Sequence, residues 1–415
     1  MSEAQHMPAP SGDFVKARRS SLVAAIFLMA TSAIGPGFIT QTATFTATMG
    51  AAFAFGILAS VLIDFVVQLN VWRMVSLTGM RASDLANAAI PGSGYVLAVL
   101  VIFGGLVFNV GNIAGAALGL NAMMGLDIKW GGLLSAVIAI GLFLSKRAGR
   151  AVDRLIVVLG IVMIGLTVFV AFASHPPLGE ALRQTVWPDR INFATITTIV
   201  GGTVGGYITY AGAHRLLDTG VTGVDNLPAV TRGALNGVIV TGVMRYVLFL
   251  AVLGVVASGV VIDISGKSAN PAAQAFQAAA GQMGLRVFGV ILWAAALTSV
   301  IGAAYTSISF VTVFRPGLTE PARNRATVVF IVVSLAVFLL LGTAPAALLV
   351  FAGGFNGLIL PLGLTLFMYV GWMRRDLMGG YPYSRALLAL GTLACVLTWW
   401  MALQSIGPIF RFLSM

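Results

Sequence analysis

Residues 20–63 carry no charged side chain, and neither do residues 326–373. Crossing ~30 Å of hydrocarbon takes roughly 20 residues as a helix, so each run holds two crossings. The rest of the chain agrees, since 59% of the 415 residues are hydrophobic and 9% are charged, against about 25% charged in soluble domains. That balance excludes the soluble globular and disordered classes, and a single Cys excludes a disulfide framework. The net charge of +11 would suggest nucleic acid in a soluble protein. Here the bases sit between apolar spans, so the expected partners are the lipid bilayer and a small-molecule or ion substrate, with no nucleic acid and no obligate protein partner.

Cutting at charges and Pro/Gly clusters predicts eleven spans, near 22–49, 51–72, 95–122, 130–145, 152–173, 194–217, 235–261, 284–313, 326–343, 345–371 and 386–410. With the amino terminus in the cytoplasm, seventeen of the 24 Lys and Arg fall in inner segments, six in outer ones, and Arg245 inside a span. This positive-inside bias predicts a cytoplasmic tail over 1–20 and one transmembrane domain over 21–415, in a bacterial inner membrane. Lys16, Arg18 and Arg19 precede the first span without a small-residue cleavage site, so that span is read as a retained helix.

Glycine, at 49 residues, is dense in two places: GPGFITQTATFTATM (35–49) in the first span and GGTVGGYITYAG (201–212) in the sixth. Small residues let membrane helices approach closely. The five-span interval predicts inverted repeats, about 22–175 and about 192–372, with an extra helix at 386–410. In such repeats interrupted helices meet at mid-membrane and offer bare backbone groups to the substrate. The side chains expected there are Thr40, Gln41, Thr42, Thr44, Thr46 and Thr48 from the first span, and Thr203, Tyr207, Thr209 and Tyr210 from the sixth. Gln41 is placed in an unwound stretch. Hydroxyls, an amide and helix termini suit a small neutral or anionic solute better than a transition-metal ion, which takes carboxylate, imidazole or sulfur ligands. Alternatively, Thr hydroxyls bond back to carbonyls within their own helix.

Asn109 and Asn112 share a face of the third span, and with Asn356 in the tenth they either contact substrate or bridge helices. Asp64 and Arg245 lie at matching depths in the second and seventh spans, which are repeat mates, so a mutual ion pair with a coupling or gating role is expected. His6, His175 and His214 are too dispersed to form a metal site together, and no cofactor is expected.

The segment at 35–49 resembles the first helix of the NRAMP divalent-metal transporters, which reads GPGF, seven residues, then DPGN. The sixth-span glycine segment resembles their ATVMPHNLYLHS, and LLVFAGGFNGLILPLGL (348–364) resembles their LLVLSQ…LP segment. The resemblance covers spans one to ten and implies an all-α integral membrane protein of the LeuT type, a 5+5 inverted repeat with about eleven helices. At the DPGN positions stand Thr46, Ala47, Thr48 and Met49; at the MPH positions stand Gly205, Gly206 and Tyr207; and Gly353 replaces the Gln. The family's carboxylate and sulfur ligands are therefore exchanged for hydroxyls and glycines, which argues against transition-metal transport. The candidate substrate-binding set is Gln41, Thr42, Phe45, Thr46, Asn109, Asn112, Thr203, Gly205, Gly206, Tyr207 and Asn356, with no metal ligand.

The resulting expectation is a secondary transporter rather than an enzyme. It would move a small organic solute by alternating access, with H⁺ or Na⁺ as coupling ion. The resemblance to metal-motif-less NRAMP-like sequences suggests a small carboxylate such as 5-oxoproline. The rivals are a divalent cation (Mg or Mn) transporter with an altered site and a channel.

Overall fold

The computed structural model describes residues 33–264, 266, 269–341 and 344–411, without the side chains of 146–159. The expected tail (1–20), His6 and the opening of the first span (22–32) lie outside the described residues. Those described form helices α1 (Pro36–Met49), α2 (Phe53–Thr78), α3 (Ala82–Ala89), α4 (Ser93–Met124), α5 (Ile128–Leu144), α6 (Lys146–Ala173) and α7 (Leu178–Val186). There follow α8 (Phe193–Val204), α9 (Ile208–Asp218), α10 (Leu227–Ala257), α11 (Pro271–Ser309), α12 (Glu320–Leu341), α13 (Pro345–Met373) and α14 (Arg385–Arg411). A helix stands at each of the eleven expected spans, with α8 and α9 together making the sixth. Among the described residues, seven continuous stretches are long and apolar enough to cross a membrane by themselves, α1 and α2 counting as one stretch.

Several boundaries differ from the sequence expectation, and two of them show their cause. The eighth span begins at Pro271 rather than near 284, because Asn270 caps it by accepting from the Ala273 N–H (3.2 Å) with Pro at the first helical position. Gly281 (φ 63°) then kinks α11. The second span continues to Thr78 and stops at left-handed Gly79, a usual helix ending.

Burial separates the centre from the rim. The most apolar stretch of α13 is 83% buried and that of α12 only 28%, so α13 is central and α12 peripheral. Exposed apolar side chains such as Phe172, Val137, Val329 and Val396 lie on the outer helices, as expected where lipid is the solvent. α4 packs along α11, and α13 packs along α8.

The direction of the first two helices positions the site. Gln41 lies beside Gly202, while Thr44 and Thr48 share a cavity wall with Asn192 and Thr195, so α1 runs antiparallel to α8. Along α2, Gly56 meets Ile199 and the Trp72 Nε1–H donates to Thr209 O (3.1 Å), so α2 runs parallel to α8 and α9. The chain therefore reverses at Gly50, whose φ of 58° suits glycine.

Candidate functional site

The sixth span is interrupted where its glycines predict. α8 ends at Val204, Gly205 is extended, Gly206 has φ 54°, and α9 starts at Ile208. The first span is interrupted at its glycine as well, but over a shorter stretch than expected. Ala33 is helical, Ile34 and Gly35 are not, and α1 then runs unbroken from Pro36 to Met49. Gln41 is thus helical, not in an unwound stretch. The Thr run keeps the helix intact because Thr42, Thr46 and Thr48 donate to Phe38 O (2.7 Å), Thr42 O (2.6 Å) and Thr44 O (3.1 Å), the i−4 back-bonding open to such residues.

α1, α8 and α13 meet around the Gln41 carboxamide. Its Nε2–H donates to Leu349 O at 3.0 Å, while Oε1 is buried without a partner. The group fits because its neighbours lack side chains: a Cβ at Gly202 or Gly353 would collide with the amide. One turn along α13, Asn356 occupies a second glycine-lined space. Its Nδ2 donates to Gly104 O (3.0 Å) and Ala352 O (2.9 Å), and Oδ1 lies buried and unpaired against Gly104 and Gly206. The Thr40, Thr44 and Thr198 hydroxyls are also buried without partners. A buried unpaired polar atom costs about 1–3 kcal/mol, so this cluster is a store of unmet hydrogen bonds at the break.

The other expected residues divide by partner. Thr42 and Thr46 have committed hydroxyls, and so does Thr203, which donates to Ile199 O (2.9 Å). Tyr207 is buried, edge-on to Phe108 with centroids 5.5 Å apart, and Gly205 packs against Gly201 O and Asn356 O. Asn109 turns away from the break and donates to Ser334 on α12 (3.1 Å). Asn112 faces the other interruption beside Gly35, its Nδ2 unpaired. Thr40 and Thr44 offer free hydroxyls where Thr42 and Thr46 do not. The helical repeat held the signal, since Gly37, Gln41 and Thr44 recur at the i, i+4, i+7 spacing of one face.

The expected open chamber between the interrupted helices is filled at this level by the two amides. A cavity of about 490 Å³ lies further along α1, lined by residues including Thr44, Phe45, Thr48, Arg190, Asn192, Thr195, Ala346 and Arg411. Gln41 is one helical turn beyond its Thr44–Phe45 floor. Arg190 donates to Thr48 O (2.7 Å), holding its charge at the wall. The lining has two Arg and no carboxylate, a polarity that composition alone does not locate. At the opposite end Asp218 of α9 accepts from Arg81 and from the Tyr305 O–H (2.9 Å), tying α9 to the α2–α3 junction and to α11.

The expected ion pair between Asp64 and Arg245 does not form. The four ion pairs within 4.0 Å among the described residues all lie elsewhere. Arg245 donates from Nη1 to Ile199 O (3.2 Å) and stacks over the Phe38 ring at 4.2 Å, bridging α8 and α1. Asp64, 2% exposed, faces the Thr203 hydroxyl within the field of Arg245. One turn on, Gln68 is buried with both amide atoms unpaired. Ser60, Asp64, Gln68 and Trp72 thus form an i, i+4 row on α2 alongside the α8–α9 break. Among the described residues no three His, Cys, Asp or Glu side chains gather as a metal site.

The sequence profile of the natural resistance-associated macrophage protein-like (Nramp) family matches residues 26–407. An uncharacterised membrane protein of Bacillus subtilis, YcsG, is 50% identical over 377 residues, which is 91% of this chain and 92% of the relative. The fold is similar to a manganese transporter of Eremococcus coleocola, with TM-score 0.77, 16% identity, and 97% and 89% of the two chains covered. It is also similar to Mhp1, a nucleobase-cation-symport-1 family transporter solved closed with bromovinylhydantoin bound, with TM-score 0.56, 17% identity and coverage of 95% and 92%.

Proposed function

Since this chain belongs to the Nramp family and has the LeuT-like fold of its structural neighbours, we propose that it is a secondary transporter of a small carboxylate, with 5-oxoproline as the test substrate. Transport would be driven by a cation gradient. The observation that carries this reading is the cavity with Arg190 and Arg411 in its wall, no acid in its lining, and neutral amides and hydroxyls one turn further in. A carboxylate is drawn by the two guanidinium groups, as a like-signed lining concentrates its counter-ion. Beyond the floor, the unpaired acceptors Gln41 Oε1 and Asn356 Oδ1 match a lactam N–H, and the free hydroxyls of Thr40, Thr44 and Thr198 match carboxylate or carbonyl oxygen. A hydantoin is likewise a five-membered cyclic amide, and Mhp1 holds one in a similar fold.

Alternating access supplies the route. The cavity reaches one side of the amide cluster, while the Arg81–Asp218–Tyr305 contacts close the other end. Moving α1 and α9 against the remaining helices would exchange these two conditions. By the orientation expected from the basic residues, the Arg190 cavity is external and the Asp218 end cytoplasmic.

A divalent-cation reading is favoured by the manganese transporter among the structural neighbours. Against it, a divalent ion at this cluster meets neutral oxygens and no compensating charge, and its entry passes two Arg.

Uptake into proteoliposomes decides between them. Labelled 5-oxoproline should accumulate, short carboxylates should compete, and Mn²⁺ or Mg²⁺ should not. Arg190→Ala should raise the half-saturating concentration about two- to fivefold, with the effect fading at high salt, the scale of one exposed charge interaction. Metal-dependent uptake that Arg190→Ala improves would overturn the carboxylate reading.

A further inference from the structure

We infer that Asp64 is a proton-binding site of this transporter and that Arg245 reads its charge state by exchanging partners. The inference rests on the secondary-transport reading above and adds to it the identity and location of the coupling ion.

Asp64 is, among residues with described side chains, the one carboxylate in the middle of a long apolar helix. It is buried and has one oxygen, Oδ1, without any partner. Its neighbour Thr203 already donates its hydroxyl proton to Ile199 O at 2.9 Å. A hydroxyl bonded in this way offers Asp64 only an oxygen that one rotation turns from acceptor to donor, so Thr203 can serve the carboxyl group in either charge state. An ionised carboxylate at this depth would require direct pairing. No direct pair exists: Arg245 donates from Nη1 to Ile199 O and lies over the Phe38 ring, while its Nε and Nη2 are buried without partners. A buried carboxyl group with no ion pair and one bare oxygen is a neutral acid, here beside a guanidinium that α8 and α1 hold.

Among the described residues, the ionisable group that faces Asp64 from the elements packed on α2 is Arg245 of α10. α8 contributes the Thr203 hydroxyl. On α9, His214 is bonded to the Ala82 N–H (3.1 Å) and to Ser309 (2.9 Å). On α7, Arg183 pairs with Asp189 and Glu180. On the α13–α14 side, Tyr383 reaches Asn70 (3.2 Å), and further along α2 Arg73 bonds Thr231 (2.8 Å).

Loss of the proton breaks the Asp64 O–H bond and leaves a carboxylate whose one available counter-charge is Arg245. Its free Nε and Nη2 are the groups to pair with the carboxylate, and shifting the guanidinium into reach draws it away from Ile199 O on α8 and the Phe38 ring on α1, one contact on each interrupted span. Protonation reverses the exchange. The unpaired amide of Gln68, one turn along α2 and beside the break, gives the proton a polar neighbour on its way to or from Asp64. The proton thereby acts on α1 and α8 without occupying the Gln41–Asn356 cluster.

The test uses the full-length protein. Infrared difference spectra of the purified wild type should show the carboxylic C=O band of a buried acid that titrates with pH and is missing in Asp64→Asn. In proteoliposomes a pH gradient should drive 5-oxoproline accumulation. Asp64→Asn should cut that accumulation at least tenfold while leaving 5-oxoproline exchange, which needs no net proton movement, within twofold of wild type. Asp64→Glu should restore part of the pH-driven uptake with a shifted pH profile. Loss of exchange as well as accumulation in both variants, persistence of the acid band in Asp64→Asn, or accumulation driven by Na⁺ and indifferent to Asp64→Asn would each overturn the inference. A titrating band that Asp64→Asn removes, in a protein that moves no carboxylate, would support the proton site and refute the substrate reading instead.

Discussion

Gly202→Ala puts a methyl group where the Gln41 carboxamide lies. The new Cβ would press on Gln41 Oε1, with Gln41 Cδ and Nε2 each 3.1 Å away. All three atoms belong to one flexible side chain, so Gln41 yields where backbone would not. Yielding sacrifices the 3.0 Å bond from Nε2 to Leu349 O and strands a buried amide, about 1–3 kcal/mol. Housing the extra methyl in a close-packed interior adds about 1–3 kcal/mol. Gln41→Ala removes the obstruction, so the double variant should be less destabilised than the two single changes together, with a coupling of about 1–3 kcal/mol. Gly353→Ala is the control. Its Cβ also meets Thr198 O, a backbone atom, at 2.7 Å, so removing Gln41 cannot fully rescue it. Reversible unfolding in mixed micelles, followed by tryptophan fluorescence, measures all four combinations. If Gly202→Ala and Gln41→Ala prove additive within about 0.5 kcal/mol, the amide does not occupy that space and the account of the centre fails.

Asp218→Asn should loosen the closed end. It weakens the contact with Arg81 and the bond from Tyr305, and a hydrogen bond to a charged group contributes about 1.5–3 kcal/mol. Maleimide labelling of a reporter Ser83→Cys, a position buried beside this contact, should therefore speed up roughly tenfold in detergent, and an unchanged rate would refute the latch. Asp189 is the pH-sensitive counterpart at the cavity end. Hydrogen bonds from Arg183 and Gln184 hold its carboxyl below the ordinary value. A lowered folded-state value means that its stabilising contribution is present above the unfolded-state value and lost as pH falls through the folded one. Acidification past the carboxylate range should thus change the emission of nearby Trp187, and Asp189→Asn should show the altered signal already at neutral pH.

The spans were legible because ~20-residue apolar runs punctuated by charges leave few alternatives. The interruption at Gly205–Gly206 was legible for the same kind of reason, a glycine pair inside an apolar segment. The interruption in the first span was legible in kind but not in extent. Gly35 breaks the helix as expected, yet the hydroxyls of Thr42, Thr46 and Thr48 bond back to carbonyls of an intact helix. Propensity alone does not choose between a Thr that lines a site and one that mends its own helix. The depth match between Asp64 and Arg245 did bring the two charges within each other's field, though not into a pair. It could not foresee the competition for Arg245 from Ile199 O and the Phe38 ring. The direction of each amide was beyond reach because it depends on distant glycines: Gln41 is bonded to a carbonyl 308 residues away.

The glycines that read in sequence as losses gain a different meaning from the packing. Gly353 stands where the family pattern has Gln, and the amide that fills the space above it comes from Gln41 on α1. Gly206, in the segment matching the MPH positions, leaves the volume taken by the Asn356 side chain, and Gly202 completes the enclosure of Gln41. The amides at the centre thus come from Gln41 on α1 and Asn356 on α13, and the positions around them are uncharged. A site of that kind cannot neutralise a charged substrate itself, so the charge balance must come from elsewhere in the chain. On the function proposed above, Arg190 at the cavity would supply it for an anion, and the Asp64–Arg245 couple would supply it for a proton behind the break. The separation has a consequence for mutants. Changes at Gln41 or Asn356 should alter which solutes are carried without abolishing the pH response, whereas changes at Asp64 should abolish the pH response without altering which solutes compete. A single substitution at Gln41 that removed both would mean that proton and solute share one site, and the division of labour argued from these side chains would be wrong.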